Sequence, residues 1–285
     1  MVLEFLTNPW KMELRARNMV FFGFLYCTVA IFLSYWIFKA YSSLIMVFLA
    51  TMATIPLMIS TIKLEEQKDL KDLEEKILLK EHWKALSAFM FLFLGFTVAF
   101  LLWYIVLPQG TVNVLFESQI DTLNAINSKV TGLAISDSLS VFNRIFLNNM
   151  RVLIFCILFS FLYGAGAIFI LCWNASVIGA AIGNFIRTKI ALISNIVGAT
   201  RVMQYFQIIS FGLLKYSIHG IPEILAYFTA GLAGGIISMA VIRHDFGTRK
   251  FEHILLVSAD LLLLSLALLF VAALLEVYVT PIIFG

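Results

Sequence analysis

The sequence predicts an all-α, polytopic transmembrane helical bundle of about seven spans with interfacial or re-entrant helices. Of the 285 residues, 61% are hydrophobic and 13% are charged, whereas soluble domains carry roughly 25% charged residues. Asp, Glu, Lys and Arg are missing from residues 19–38, 40–62, 152–186 and 224–242. A transmembrane helix needs about 20 mainly apolar residues, so each of these stretches can span a bilayer.

The apolar runs place the spanning helices near residues 19–38, 41–62, 85–107, 150–173, 202–219, 222–242 and 254–279. Cytoplasmic loops are enriched in Lys and Arg, and a cytoplasmic N-terminus puts fifteen of the twenty such residues inside, including Arg187, Lys189 and Arg201. We therefore expect a multi-pass protein of the plasma membrane, with its N-terminus cytoplasmic and its C-terminus external.

Three parts of the chain are expected. The N-terminal membrane part, 1–107, includes a cytoplasmic amphipathic helix over 63–84, in which charged pairs three and four residues apart surround Leu70, Leu73 and Ile77. It predicts a solvated hairpin or a docking surface. The external segment, 108–147, has helically spaced apolar residues and predicts amphipathic helices on the outer leaflet or against a partner; a flexible loop is the alternative. A second membrane domain covers 148–285.

Sequence motifs give no sign of catalysis or of a cofactor. Cys27, Cys156 and Cys172 are scattered through apolar runs and form neither a disulfide framework nor a CxxC motif. HExxH, GxSxG, Walker and Rossmann patterns are all missing. We expect no enzyme activity, no metal and no cofactor. The expected partners are the bilayer and other membrane or envelope proteins, and not nucleic acid.

The fourth span and the small-residue run that follows it are too long for one bilayer crossing. Together they make 38 residues, so a break is expected near Asn174. The segment after the break is then expected at the inner interface or as a re-entrant half-helix.

The stretch 217–226, SIHGIPEILA, interrupts an apolar run with polar and helix-breaking residues. Gly220 and Pro222 predict a junction between two spans, with Glu223 in the first turn of the second and facing the protein interior. Glu223 is either a helix-start carboxylate or part of an ion-binding or partner-binding site, with His219 as its neighbour. Two ligands are too few for zinc.

The last span carries two further acids. Glu276 is expected at the depth of Glu223, and Asp260 is expected to pair with Arg243 or Arg249 as a buried pair.

Two pairs of glycines four residues apart predict close helix packing. They are Gly179 with Gly183 and Gly231 with Gly235. The pairs favour a homo-oligomer, most simply a dimer, or packing of spans within one subunit.

Polar and small residues recur in a definite order through residues 148–285: Asn148-Asn149, Leu171–Asn174, Gly179, His219-Gly220-x-Pro222-Glu223, a glycine-rich run from Ala230, Arg243, Glu276 and Thr280-Pro281. This order resembles the stage II sporulation protein M family. The resemblance implies a membrane scaffold that binds cell-wall hydrolases, the absence of catalysis, and a site at Asn148, Asn149, Asn174, His219, Glu223 and Glu276. Family members often have Asn-Gly where this chain has Asn174-Ala175, and the first three spans are expected to be additional or strongly diverged.

Two functions are therefore expected from different classes. The first is a non-enzymatic scaffold or assembly partner in the cell envelope. The alternative is a cation or small-solute channel or transporter, with a path lined by Glu223, Glu276, Asp260 and the asparagines, because acids facing inward in broken helices suit a permeation path. An intramembrane hydrolase is the weakest reading.

Overall fold

The computed structural model of the chain describes residues 16–69, 75–131, 138–163, 166–192, 199–242 and 247–284. Within those ranges every regular element is helical. The α-helices are α1 (Met19–Ile37), α2 (Ser42–Asp69), α3 (Glu75–Val106), α4 (Gln109–Leu115), α5 (Glu117–Thr131), α6 (Ser138–Tyr163), α7 (Ala167–Leu192), α8 (Ala199–Ile242), α9 (Arg249–Leu274) and α10 (Thr280–Phe284). Short 3₁₀ turns precede α1 and α2, and a π-helical turn, Leu275–Val279, joins α9 to α10.

Seven helical segments in the described part are long and apolar enough to cross a membrane. They are Ala16–Ile37, Lys39–Glu65, His82–Val106, Ser138–Leu162, Ala167–Leu192, Met203–Ile242 and Phe251–Phe284. The predicted class, an all-α polytopic bundle, is confirmed. The number of spans is the expected one, but the boundaries differ in two places. Residues 167–192 form a span of their own, and residues 203–242 form one span where two were predicted.

The break expected near Asn174 lies instead between α6 and α7. Asn174 is inside α7, where its side-chain amide donates to the carbonyl of Ile170 at 3.0 Å. A Cβ on Gly166 would lie 2.4 Å from the carbonyl oxygen of Phe159, so the chain folds back closely against the end of α6. Residues 167–192 consequently form a full-length span of their own, and the re-entrant half-helix prediction is wrong.

The break predicted at Gly220-Ile221-Pro222 is also wrong. Helix α8 runs without interruption from Ala199 to Ile242, with Pro222 in its interior. His219, three residues before this proline, contacts Thr280 at the start of α10, and α8 also packs against α9. Membrane bundles tolerate interior prolines because neighbouring helices hold the path of the chain.

Gly220→Ala is expected to raise the free energy of unfolding by roughly 0.5–1 kcal/mol, since glycine in a continuous helix is less favourable than alanine. A Cβ at this position meets no atom within 4 Å. Thermal unfolding in detergent measures the effect. Gly179→Ala is the opposite control, because its Cβ would lie 2.8 Å from that of Phe100. A lower melting temperature for Gly220→Ala would contradict the continuous helix.

Arg187 lies at the other end of the bundle from the one predicted by charge counting. Its guanidinium donates to the backbone carbonyl of Ile105 at 3.0 Å, to that of Leu107, and to Gln109 Oε1. These groups belong to the end of α3 that the sequence places outside. Because Arg187 contacts these groups, it lies on the same side of the membrane as residue 107. The prediction placed the two on opposite sides. The orientation of the termini stays a prediction.

The segment after α3 is helical as predicted, but it packs into its own bundle. Phe116, between α4 and α5, is fully buried, and its ring contacts those of Phe100 and Tyr104. Gln119 is also fully buried and donates to Ser43 O at 3.2 Å and Ser176 Oγ at 3.0 Å. Helices α4 and α5 therefore neither lie on the outer leaflet nor form a flexible loop. Residues 138–147 belong to α6.

The expected solvated helix over 63–84 is instead the facing ends of α2 and α3. Three polar residues there are buried: Lys68 Nζ lies 2.7 Å from Glu65 Oε1, and His82 Nδ1 lies 2.8 Å from Glu65 Oε2. The contact of Glu65 with His82 joins the two helices, whereas the contact of Glu65 with Lys68 lies within α2. Leu70, Leu73 and the side chain of Ile77 lie outside the described residues.

Small residues set the closest helix contacts. Gly23 in α1 and Gly95 in α3 face each other, and Gly179 and Gly183 in α7 lie against Phe100 and Tyr104 of α3. Gly231 in α8 lies against Ala167. The close packing predicted from these glycines is observed within one chain, so it lends no support to a homo-oligomer, which stays a prediction. The three cysteines are buried.

Candidate functional site

A cavity of about 990 Å³ lies at the end of the bundle that carries α4 and α5. Helices α3, α5, α6, α7 and α8 and the π-helical turn all contribute to its wall. Six of the eight site residues predicted from the sequence line it: Asn148, Asn149, Asn174, His219, Glu223 and Glu276. Residues that are far apart in the chain therefore meet in one polar space.

Two carboxyl groups form the acidic wall of the cavity. Glu223 comes from α8, and its Oε1 accepts a hydrogen bond from the Tyr227 hydroxyl at 2.8 Å, one helical turn further along. Glu276 comes from the π-helical turn. Such turns insert one extra residue and often occur at functional sites. Both acids face the interior, which agrees with the prediction made for Glu223.

Thr280, directly after the π-helical turn, makes one polar contact within this segment and one with α8. Thr280 Oγ1 donates to Leu275 O at 3.0 Å, across the wider turn. His219 Nδ1 lies 3.3 Å from the same hydroxyl. This connection fixes Glu276 beside Glu223. In the ranges that the structure describes, no group of three or more His, Cys, Asp or Glu is placed to hold a metal ion.

Three basic residues line other parts of the same cavity. Arg144 and Arg151 are exposed on α6, with Asn148 between them. Residues separated by four and seven positions share one face of a helix, so this face of α6 is cationic. Lys189 of α7 is also in the wall. Among the described side chains, no ion pair joins either arginine to Glu223 or Glu276.

Asparagine amides line the space between the charged walls. Asn149 is 8% exposed, and Asn174 and Asn184 approach from α7. An amide side chain both donates and accepts hydrogen bonds. This lining can therefore bind a cationic group or an anionic group.

Packed aromatic residues lie directly behind the acidic wall. Tyr227, Phe228 and Phe89 are fully buried. The rings of Phe89 and Phe228 stack with centroids 5.5 Å apart. None of these three residues lines the cavity.

Asp260 lies away from the cavity and does not pair with Arg249, one of the two partners predicted for it. Its side chain is exposed on α9, on the face that carries Leu256 and Leu263, which are 66% and 65% exposed. Arg249 precedes it by eleven residues on the same helix, a separation of about 16 Å along the axis. That distance excludes an ion pair. Arg243 lies outside the described residues.

Sequence reasoning missed Arg144, Arg151, Lys189 and Tyr227 as parts of the site. The spacing of Arg144, Asn148 and Arg151 is a detectable signal, because it puts three polar groups on one face of an otherwise apolar helix. No comparable pattern marks Lys189. Tyr227 follows Glu223 by four residues, the spacing at which helical side chains meet.

Comparison with protein families gives one match. The model of the family described as stage II sporulation protein M matches residues 87–281, which begins earlier than the expected 148 and includes α3 and the segment after it. The third span is therefore part of the family region and not an addition to it. No curated protein and no solved structure matches the chain. Because the match covers more than half of its length, this multi-pass membrane protein belongs to the stage II sporulation protein M family.

Proposed function

We propose that the protein is a non-enzymatic transporter that binds a small polar solute in the cavity between α6, α7 and α8. The supporting observation is the pair of carboxyl groups, Glu223 and Glu276, that face this space from membrane-spanning segments. Ionisable residues inside spans mark substrate or ion pathways, because a charge there is costly unless it is used or paired. The volume of the cavity also suits a small molecule.

The buried aromatic residues next to the acidic wall favour a transporter over a channel. A channel in its open state needs a continuous path, whereas Tyr227, Phe228 and Phe89 fill the bundle behind Glu223. A transporter exposes its site to one side at a time by moving one group of helices against another. The cavity corresponds to a state that is open towards the α4–α5 end.

Glu223→Gln is expected to slow solute entry at least tenfold, about 1.4 kcal/mol in the barrier, because it removes one of the two wall charges while keeping the shape. Liposomes that contain the purified protein are mixed with a hyperosmotic solution of glycine, potassium glutamate or sorbitol, so that they first shrink. Light scattering then follows their re-swelling as the solute enters. Glu252→Gln, an exposed acid at the start of α9, is the matched control. Equal rates for empty liposomes, native protein and Glu223→Gln, with all three solutes, would remove the transporter proposal.

A scaffold is the second candidate, and Asp260 favours it. A carboxyl group on the exposed leucine face of a spanning helix needs a donor or a cation from elsewhere. A basic side chain in a partner's helix would supply it. A photo-reactive residue at Leu263 should then crosslink an envelope protein in native cells, and Asp260→Asn should abolish the product. Crosslinking that is unchanged in Asp260→Asn would count against this interface.

A further inference from the structure

We propose that the ligand of the cavity is a zwitterion whose anionic group binds the Arg144–Arg151 face of α6 and whose ammonium group binds Glu223 and Glu276. This inference rests on the proposed function of the cavity as a solute site, and it names the class of solute. The two charged groups of such a molecule would be held several ångströms apart, each at the wall of opposite sign.

The charges of the cavity are separated and do not neutralise each other. Arg144 and Arg151 line one part of the wall and Glu223 and Glu276 another, and no ion pair joins the two sets among the described side chains. If these groups served only to hold helices together, direct contact would be the stable arrangement. Instead they face a cavity of about 990 Å³. A molecule that carries both charges satisfies both walls at once.

A ligand with a single charge fits this lining less well. An anion at the arginines leaves two carboxyl groups without a counter-charge, and a cation at the carboxyl groups leaves the arginines in the same position. A charge at membrane depth costs several kcal/mol when it is not paired or hydrated, and this cost applies most to the half-buried carboxyl groups, because the arginines are exposed. The amides of Asn148, Asn149 and Asn174 hydrogen-bond to groups of either sign, so they do not exclude one end of a zwitterion.

Exposure orders the two binding steps. Arg144 and Arg151 are exposed, whereas Glu223 and Glu276 are half-buried. The anionic group therefore meets the accessible face first, and the ammonium group enters towards the carboxyl groups. Guanidinium groups bind carboxylate and phosphate in the same bidentate geometry. A short peptide and a phosphoethanolamine headgroup share this chemistry, and the cavity is within the range of about 300–1,000 Å³ of small-molecule sites.

Binding of matched probes to the purified full chain tests the inference. Calorimetry compares the dipeptide alanyl-alanine with N-acetyl-alanyl-alanine, which lacks the ammonium group, and with alanyl-alanine amide, which lacks the carboxylate. Glycerophosphoethanolamine is the headgroup probe. We expect at least one of the two zwitterions to bind ten or more times tighter than both blocked peptides. Preference for the dipeptide identifies a free solute, and preference for glycerophosphoethanolamine identifies a lipid headgroup.

Charge-removing variants assign the two ends of the ligand. In Glu223→Gln with Glu276→Gln, the zwitterion and the N-acetylated peptide should bind equally. In Arg144→Gln with Arg151→Gln, the zwitterion and the amide should bind equally. Lys39→Gln and Glu252→Gln change exposed charges outside the cavity and should leave the preference intact. If a double variant does not fold, the comparison of probes on the native protein decides the question alone.

Two results would overturn the inference: a blocked peptide that binds as tightly as both zwitterions, or no binding of any probe. The swelling experiment keeps this outcome separate from the transporter proposal. A zwitterion that binds without entering liposomes refutes transport and leaves the ligand class standing. Solute entry without preference for a zwitterion refutes the ligand class alone.

Discussion

Gly95→Ala is expected to destabilise the protein by about 3 kcal/mol, the upper part of the usual range for overpacking. Gly95 lies where α3 crosses α1. A Cβ there would lie 2.2 Å from the carbonyl oxygen of Val20 and 2.9 Å from the amide nitrogen of Phe24. Both atoms belong to the backbone, so no side-chain rotation relieves the clash and the helices must move apart.

Thermal unfolding of the purified protein in one detergent measures this effect. Gly23→Ala should behave similarly, since its Cβ would lie 2.3 Å from Leu92 O on the facing helix. Gly110→Ala is the matched control, because a Cβ at that position meets nothing within 4 Å. If Gly95→Ala and Gly110→Ala unfold at the same temperature, the α1–α3 crossing is not as close as described.

Glu65→Gln should lower the free energy of unfolding by about 3 kcal/mol, as expected when one partner of a buried ion pair loses its charge. Glu65 is fully buried, and its two carboxylate oxygens contact Lys68 Nζ and His82 Nδ1. The amide keeps the shape but leaves the ammonium group without this counter-charge. The predicted effect is large because water does not reach these atoms.

A double-mutant comparison separates the ion pair from simple loss of packing. Lys68→Met combined with Glu65→Gln should cost less than the sum of the two single changes, because residues in contact are not additive. Glu252→Gln, at an exposed position in α9, should leave the melting temperature unchanged. Strict additivity of the two single changes would contradict the pair.

Composition predicted the helical membrane class because charge-free stretches of about 20 apolar residues are typical of transmembrane helices. It could not locate the breaks between spans. Gly166, where α7 begins, and Pro222, inside α8, look alike as helix interrupters in the sequence, yet only the first coincides with a turn. The difference lies in the packing of α8 against neighbouring helices, which local sequence does not specify; α8 stays helical through Pro222.

Six polar residues that line the cavity were singled out from the sequence, whereas the breaks between the spans were not located. Polar residues stand out in an apolar chain, so Asn148, Asn174, Glu223 and Glu276 could be recognised singly, and the structure brings them together. Their cationic counterparts were not singled out as site residues, because Arg and Lys near span ends usually serve as anchors. Asp260 shows the limit of this reasoning, since exposure on α9 depends on which face of the helix the bundle covers.

The burial of Cys27, Cys156 and Cys172 leaves the native chain with thiols that are poorly accessible to bulky, membrane-impermeant maleimides. A single cysteine introduced at an exposed position is therefore the thiol that such a reagent modifies, and no native cysteine needs replacement. Lys39 and Lys63 are exposed at opposite ends of the second span. A reagent added to sealed cells reaches a cysteine at one of these positions and not at the other, so variants with one added cysteine can report which side of the membrane the cavity faces.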